Sequence, residues 1–103
     1  MNDRLAQLQS LLQAEPNDVF CLYGIAMEHA RQGRFEEAIA WYDRALAVDP
    51  AYCYAYFHKA KAQEEAGDQA GACKTLQEGL MRSKAAGDSK AANEIAAYLD
   101  EIS

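Results

Sequence analysis

Apolar residues recur along this chain three and four positions apart, the spacing of one helical face, in short runs broken by Gly, Pro and Asp. Leu5, Leu8, Leu11 and Leu12 predict an amphipathic helix over 3–14, closed by Pro16 and the turn formers Asn17 and Asp18. A second helix is predicted over 18–32, where Gly33 supplies a left-handed stop that a side chain would resist. Ile39, Tyr42, Leu46 and Val48 place a third over 35–48. Asp49 and Pro50 mark a joint, because proline cannot extend a helix but fits the first turn of the next, and Asp can cap it. A fourth helix follows over 51–66 and stops at Gly67, and Asp68 is placed to cap a fifth over 69–86. After Gly87, Asp88 and Ser89, a sixth over 89–102 puts Ala92, Ile95, Leu99 and Ile102 on its core side. Turns this short force successive helices to pack antiparallel.

Shifting the chain against itself by 34 residues aligns Pro16 with Pro50, Gly33 with Gly67 and Ala38 with Ala72. The apolar stripes align as well. Leu5, Ile39 and Cys73 share one register, Leu8, Tyr42 and Leu76 a second, and Leu12, Leu46 and Leu80 a third. Where two helices of a hairpin cross closely, one of them needs a side chain no larger than Ala. Ala26, Ala38, Ala60 and Ala72 provide it, with Leu22, Ile25, Tyr42, Tyr56 and Leu76 filling the space beside them. One hairpin cannot bury its apolar faces alone, so units of this period stack.

This unit resembles the tetratricopeptide repeat, whose signature is W-x2-L-G-x2-Y followed by A-x3-F, A and P. In residues 19–52, Leu22, Ile25, Ala26 and His29 occupy the first four positions, and Ala38, Tyr42, Ala45 and Pro50 match the rest. Residues 53–86 are a paler copy. Tyr56, Ala60, Ala72, Leu76 and Gly79 fit, but Lys59 and Gln63 replace apolar residues and Lys84 takes the place of the proline. By the same likeness, 3–16 is the second half of a truncated repeat and 89–102 a lone first helix or cap. The resemblance implies one all-α domain over 1–103, a right-handed superhelix of antiparallel helix hairpins with about six helices.

Composition and charge narrow the function. Half of the residues are hydrophobic, and there are ten basic against sixteen acidic residues, a net charge of −6. Nucleic acid is a poor partner for such a chain, since phosphate binding relies on Lys and Arg. No basic amphipathic helix is offered to an anionic membrane, and the N-terminal stretch has no continuous apolar run of a signal or a span. Cys21, Cys53 and Cys73 are odd in number and lack C-x-x-C spacing, which reads as reduced thiols in a cytoplasmic protein. The segment GDQAGACKT, 67–75, only superficially resembles a phosphate loop: Gly71 is three residues ahead of Lys74, and a helix precedes it. His29 and His58 have no ligand-type residue three or four positions away on their helices, and His29 falls where the family packs an aromatic. No nucleophile and base assemble, so neither an enzyme, nor a cofactor, nor a metal is expected.

In tetratricopeptide proteins the first helix of each hairpin lines a concave groove that takes a peptide or helix. Carried over, that face is Phe20, Tyr23, Met27, Ala30 and Arg31 in one hairpin, and Tyr54, Phe57, His58, Lys61, Glu64 and Glu65 in the next. Helical spacing independently groups Phe20, Tyr23 and Met27, and likewise Tyr54, Phe57 and Lys61. Aromatic stripes are usually core. Here Leu22, Ile25, Ala26 and His29 already form an inward face, and a helix in a two-layer stack is expected to need only one. The second stripe therefore points to a protein or peptide partner anchored by aromatics. Some family members grip a C-terminal carboxylate through Lys, Asn and Arg. Tyr23, Met27 and His58 hold three of those places here, so chaperone C-termini are not the expected ligands. The expected function is a scaffold or adaptor, and the alternative is a homodimer joined through the terminal helices.

Overall fold

Asp18 and Asp88 cap helices, and Gly33, Gly67 and Gly87 end them; the rest of the architecture hangs on those joints. The computed structural model describes residues 3–103, with six α-helices: α1 (Asp3–Ala14), α2 (Val19–Arg31), α3 (Phe35–Val48), α4 (Cys53–Glu65), α5 (Gln69–Ala85) and α6 (Ser89–Ile102). There is no strand among the described residues, and the fold is all-α. The three glycines have φ of 81°, 90° and 73°, the left-handed region where a Cβ is strained. The Asp18 carboxylate accepts from the backbone N–H of Phe20 at 3.0 Å and of Cys21 at 3.2 Å. Asp88 accepts from Ala91 N–H at 3.1 Å, and Asp68 from Gly71 N–H at 2.9 Å. A Cβ on Gly71 would lie 2.2 Å from that Asp68 carboxylate, so the glycine in the apparent phosphate loop serves a helix cap. Asp68→Ala should therefore lower stability by about 1 kcal/mol, read as an earlier midpoint in urea.

One joint differs from the sequence reading. The fourth helix starts at Cys53, not 51, and Asp49 does not cap it but stands at the C-terminal end of α3. Its carboxylate accepts from Ala51 N–H at 3.0 Å, and its carbonyl accepts from Tyr52 N–H at 3.1 Å, which closes a turn ahead of α4. The Tyr56 hydroxyl, donating to the Pro50 carbonyl at 2.8 Å, ties that turn to the second turn of the helix.

Each helix from α2 onward packs on its chain neighbours, whereas α1 packs on α2 alone. α4 also touches α2 and α6, so those three helices form one layer, running parallel to each other. Two clusters make the core. One joins α2, α3 and α4 through Ala26, Ala38, Tyr42, Ala55 and Ala62, and the other joins α4, α5 and α6 through Ala60, Ala72, Leu76, Ile95, Tyr98 and Ile102. The four alanines placed at the crossings are fully buried.

The polar residues of the paler segment have partners on the adjacent helices. Lys59 Nζ lies 2.6 Å from Asp43 Oδ1 on α3, and Thr75 Oγ1 on α5 donates to Gln63 Oε1 at 2.6 Å. His29 is buried as expected, its Nδ1 accepting from Arg34 Nε at 2.9 Å and its ring stacked on Trp41. Two stripe positions were misjudged. Leu11 is 57% exposed because α1 has only α2 to pack against, and Leu8 takes that contact. Val48 is 42% exposed because it lies two residues past Leu46, about 200° round the helix.

Candidate functional site

The layer of α2, α4 and α6 carries a hollow of about 400 Å³. Its apolar lining comes from Met27, Ala30, Phe35, Tyr42, Ala62 and Tyr98. Glu28, Arg31, His58, Lys61, Glu64 and Glu65 supply its polar lining. A second hollow of about 420 Å³ adjoins it between α4 and α6, with Phe57, Glu94, Ala97 and Glu101 on its walls. Lys61, Glu64 and Tyr98 line both, so the two form one trough.

The sequence-derived residues divide between this trough and the packing beneath it. Met27, 39% exposed, lines the first hollow with Arg31, His58 and Lys61, and Phe57 lines the second. Phe20 is 61% exposed and, like Tyr23 and Tyr54, lines neither hollow. Tyr23 is half-buried against the α2–α4 cluster, its ring 4.9 Å from that of Tyr52, 5.7 Å from His58 and 5.9 Å from Tyr42. Phe57 packs on the other cluster, 5.2 Å from the Tyr98 ring and 5.4 Å from His58. Burial and the neighbouring Glu94 of α6 raise the Tyr54 phenol above its ordinary value. The expectation that one inward stripe suffices thus needs correcting. A helix such as α4 has neighbours within its own layer as well as behind it, and the aromatic stripe packs sideways onto them.

An ion pair lies in the trough. Arg31 donates to both carboxylate oxygens of Glu28, at 3.2 and 2.8 Å, which holds Glu28 below the usual carboxylate range. The Lys61 ammonium sits 5.3 Å over the Phe57 ring, within cation–π range. Burial, helped by Lys61, holds the His58 imidazole below its ordinary value and favours its neutral form. Tyr98 donates its hydroxyl to Glu64 Oε1 at 2.6 Å across the α4–α6 seam.

Glu28, Phe35, Tyr42, Ala62, Glu94, Ala97, Tyr98 and Glu101 are the lining residues that sequence reasoning did not place there. A signal for Tyr98 existed. Helices α2 and α4 begin 34 residues apart, but α6 begins 36 after α4, because α5 is longer than α3. At a shift of 36 residues, Ala55, Tyr56 and Ala62 align with Ala91, Ala92 and Tyr98, all six of them buried.

Burial raises the Tyr23 phenol from 10.0 to about 12, and burial also raises those of Tyr42 and Tyr98. Between these values the unfolded chain releases the Tyr23 proton while the folded chain keeps it, so stability falls as pH rises from 10 toward 12. Tyr23→Phe should make that fall shallower in urea melts taken across the interval.

The TPR repeat family profile matches residues 28–67. A TPR repeat-containing protein of Pseudomonas aeruginosa is 26% identical over 95 residues, which are 92% of this chain and 90% of that protein. Superkiller protein 3 of Saccharomyces cerevisiae is 30% identical over 67 residues, 65% of this chain; the match spans only 5% of that protein's length. Among solved structures, the TPR2B domain of yeast Sti1, in its pHsp70 complex, superposes with a TM-score of 0.88 at 26% identity. That likeness covers 95% of this chain and 78% of the Sti1 chain. Helix architecture, repeat residues and relatives agree: the chain carries a tetratricopeptide repeat over residues 28–67, in a fold it shares with tetratricopeptide repeat proteins.

Proposed function

We propose that the chain is a protein-interaction module that holds an extended peptide or a helical segment along α2, α4 and α6. The observation that carries this reading is the continuous trough across those three helices, apolar in its floor and bordered by charged side chains. Such a surface buries apolar anchors of a partner while polar edges fix its position. The related Sti1 domain, solved in complex with pHsp70, is a precedent for a protein ligand on this architecture. With Tyr23, Met27 and His58 at the places of the carboxylate-gripping residues, an internal segment suits this trough better than a C-terminal carboxylate. Phe20, Tyr23 and Tyr54 then act at its margins, and Met27, Arg31, Phe57, His58 and Lys61 within it.

Affinity capture from a native lysate, with mass spectrometry of the bound proteins, tests the reading. The bait is compared with the variant Met27→Gln/Lys61→Ala, both at exposed positions. The variant should lose the captured proteins while melting as the parent does. Equal capture by both baits would place the binding surface elsewhere.

One observation favours a second reading, a homodimer through the first helix. Leu11 stands 57% exposed on α1, which packs on α2 alone. Sedimentation equilibrium of the chain and of Leu11→Gln decides it: a dimer that the substitution dissolves supports this reading, and a monomer in both removes it.

A further inference from the structure

We infer that the segment held in the trough is basic as well as apolar, with its Lys or Arg residues at the C-terminal ends of α2, α4 and α6; this rests on the groove reading above. Carboxylates dominate the lining. Arg31 is already bonded to Glu28, which leaves Lys61 facing Glu64, Glu65, Glu94 and Glu101. Lys61 is itself covered on one side by the Phe57 ring, and Glu64 and Glu65 follow it by three and four residues, on the same helical face. Its field is therefore largely offset before a ligand arrives, and an acidic segment would meet the carboxylate excess.

Two further features strengthen the complementarity. Glu64 is held by the Tyr98 hydroxyl, so this carboxylate is fixed in place at the α4–α6 seam. Preorganised charges of this kind bind a cation without the entropy loss of ordering a flexible side chain. The second feature is helix direction. Successive helices are antiparallel, so α2, α4 and α6 run the same way and bring three C-termini to one edge. Each C-terminus carries partial negative charge, and Glu64, Glu65 and Glu101 lie in the last turns at that edge. The occupant consistent with this surface places aliphatic or aromatic anchors against Met27 and Phe57 and its cations at the C-terminal edge.

Selection from a library of short random peptides, with the parent chain as bait, tests this directly. Enriched peptides are synthesised and mapped by amide shifts on the isotopically labelled protein. The expected result is basic, apolar sequences that perturb Met27, His58 and Lys61. Their affinity should drop about tenfold or more in Glu65→Lys/Glu101→Lys, and should weaken with added salt in the unaltered chain. The salt series needs no substitution, so the inference stays testable even if the variant folds poorly. Neutral or acidic peptides that perturb those same residues would overturn the basic occupant and leave the groove reading standing. Peptides that map elsewhere, or no enrichment at all, would overturn both.

Discussion

Leucine in place of Ala38 or Ala72 should lower the free energy of unfolding by about 1–3 kcal/mol. Both alanines are fully buried, each within a core cluster that the helices of its hairpin share. Extra methylenes there force the helices apart or the side chains off their rotamers. Gly79 extends the argument. A Cβ added to it would lie 2.5 Å from the Cβ of Tyr56, a side chain anchored by its own hydrogen bond to the Pro50 carbonyl. In an open helix Gly→Ala stabilises by roughly 0.5–1 kcal/mol. At Gly79 the sign should reverse. Urea melts of the three variants check this, and three unchanged midpoints would mean that the helices do not cross where these small residues sit.

Removing Tyr23 and Phe57 together should abolish partner capture and also destabilise the fold by about 2–4 kcal/mol. On the sequence alone, both rings read as exposed anchors whose loss would spare stability. The packing changes that expectation. Tyr23 is wedged among Tyr42, Tyr52 and His58, and Phe57 lies against Tyr98, so each ring props one helix of the layer against the next. A double alanine variant therefore confounds binding with folding. Met27→Gln/Lys61→Ala separates them, because exposed substitutions away from such packing usually stay within about 0.5 kcal/mol. Comparing melting midpoint and capture in the two variants checks both halves of the prediction.

The helices were legible because their punctuation is local. Gly33, Gly67 and Gly87 announce stops and Asp68 announces a cap, through chemistry that needs no distant partner, while Asp18 and Asp88, which read as turn residues, cap helices as well. Asp49 shows the limit of such signals. A carboxylate before a proline can cap a helix or close a turn, and here the Tyr52 N–H and the Tyr56 hydroxyl settle the choice for the turn. Lys59 and Gln63 looked like defects in a repeat because their partners, Asp43 and Thr75, lie on other helices. The trough was half legible. Helical spacing put Met27, Phe57 and Lys61 on one side of their helices, but spacing cannot say which exposed-looking aromatic another helix will cover. Tyr98 was hidden for a different reason, since the longer α5 displaces α6 from the 34-residue register.

On the proposed function, the face of α2, α4 and α6 holds the partner and the α5 side does not. A photo-crosslinking residue at Met27, and in a separate chain at Met81 of α5, tests it most directly. Met27 lines the trough, whereas Met81 is 63% exposed and lies outside both of its hollows. After capture from lysate and irradiation, a covalent adduct to the partner is expected from position 27 and none from position 81. An adduct from position 81 with none from position 27 would contradict the proposal.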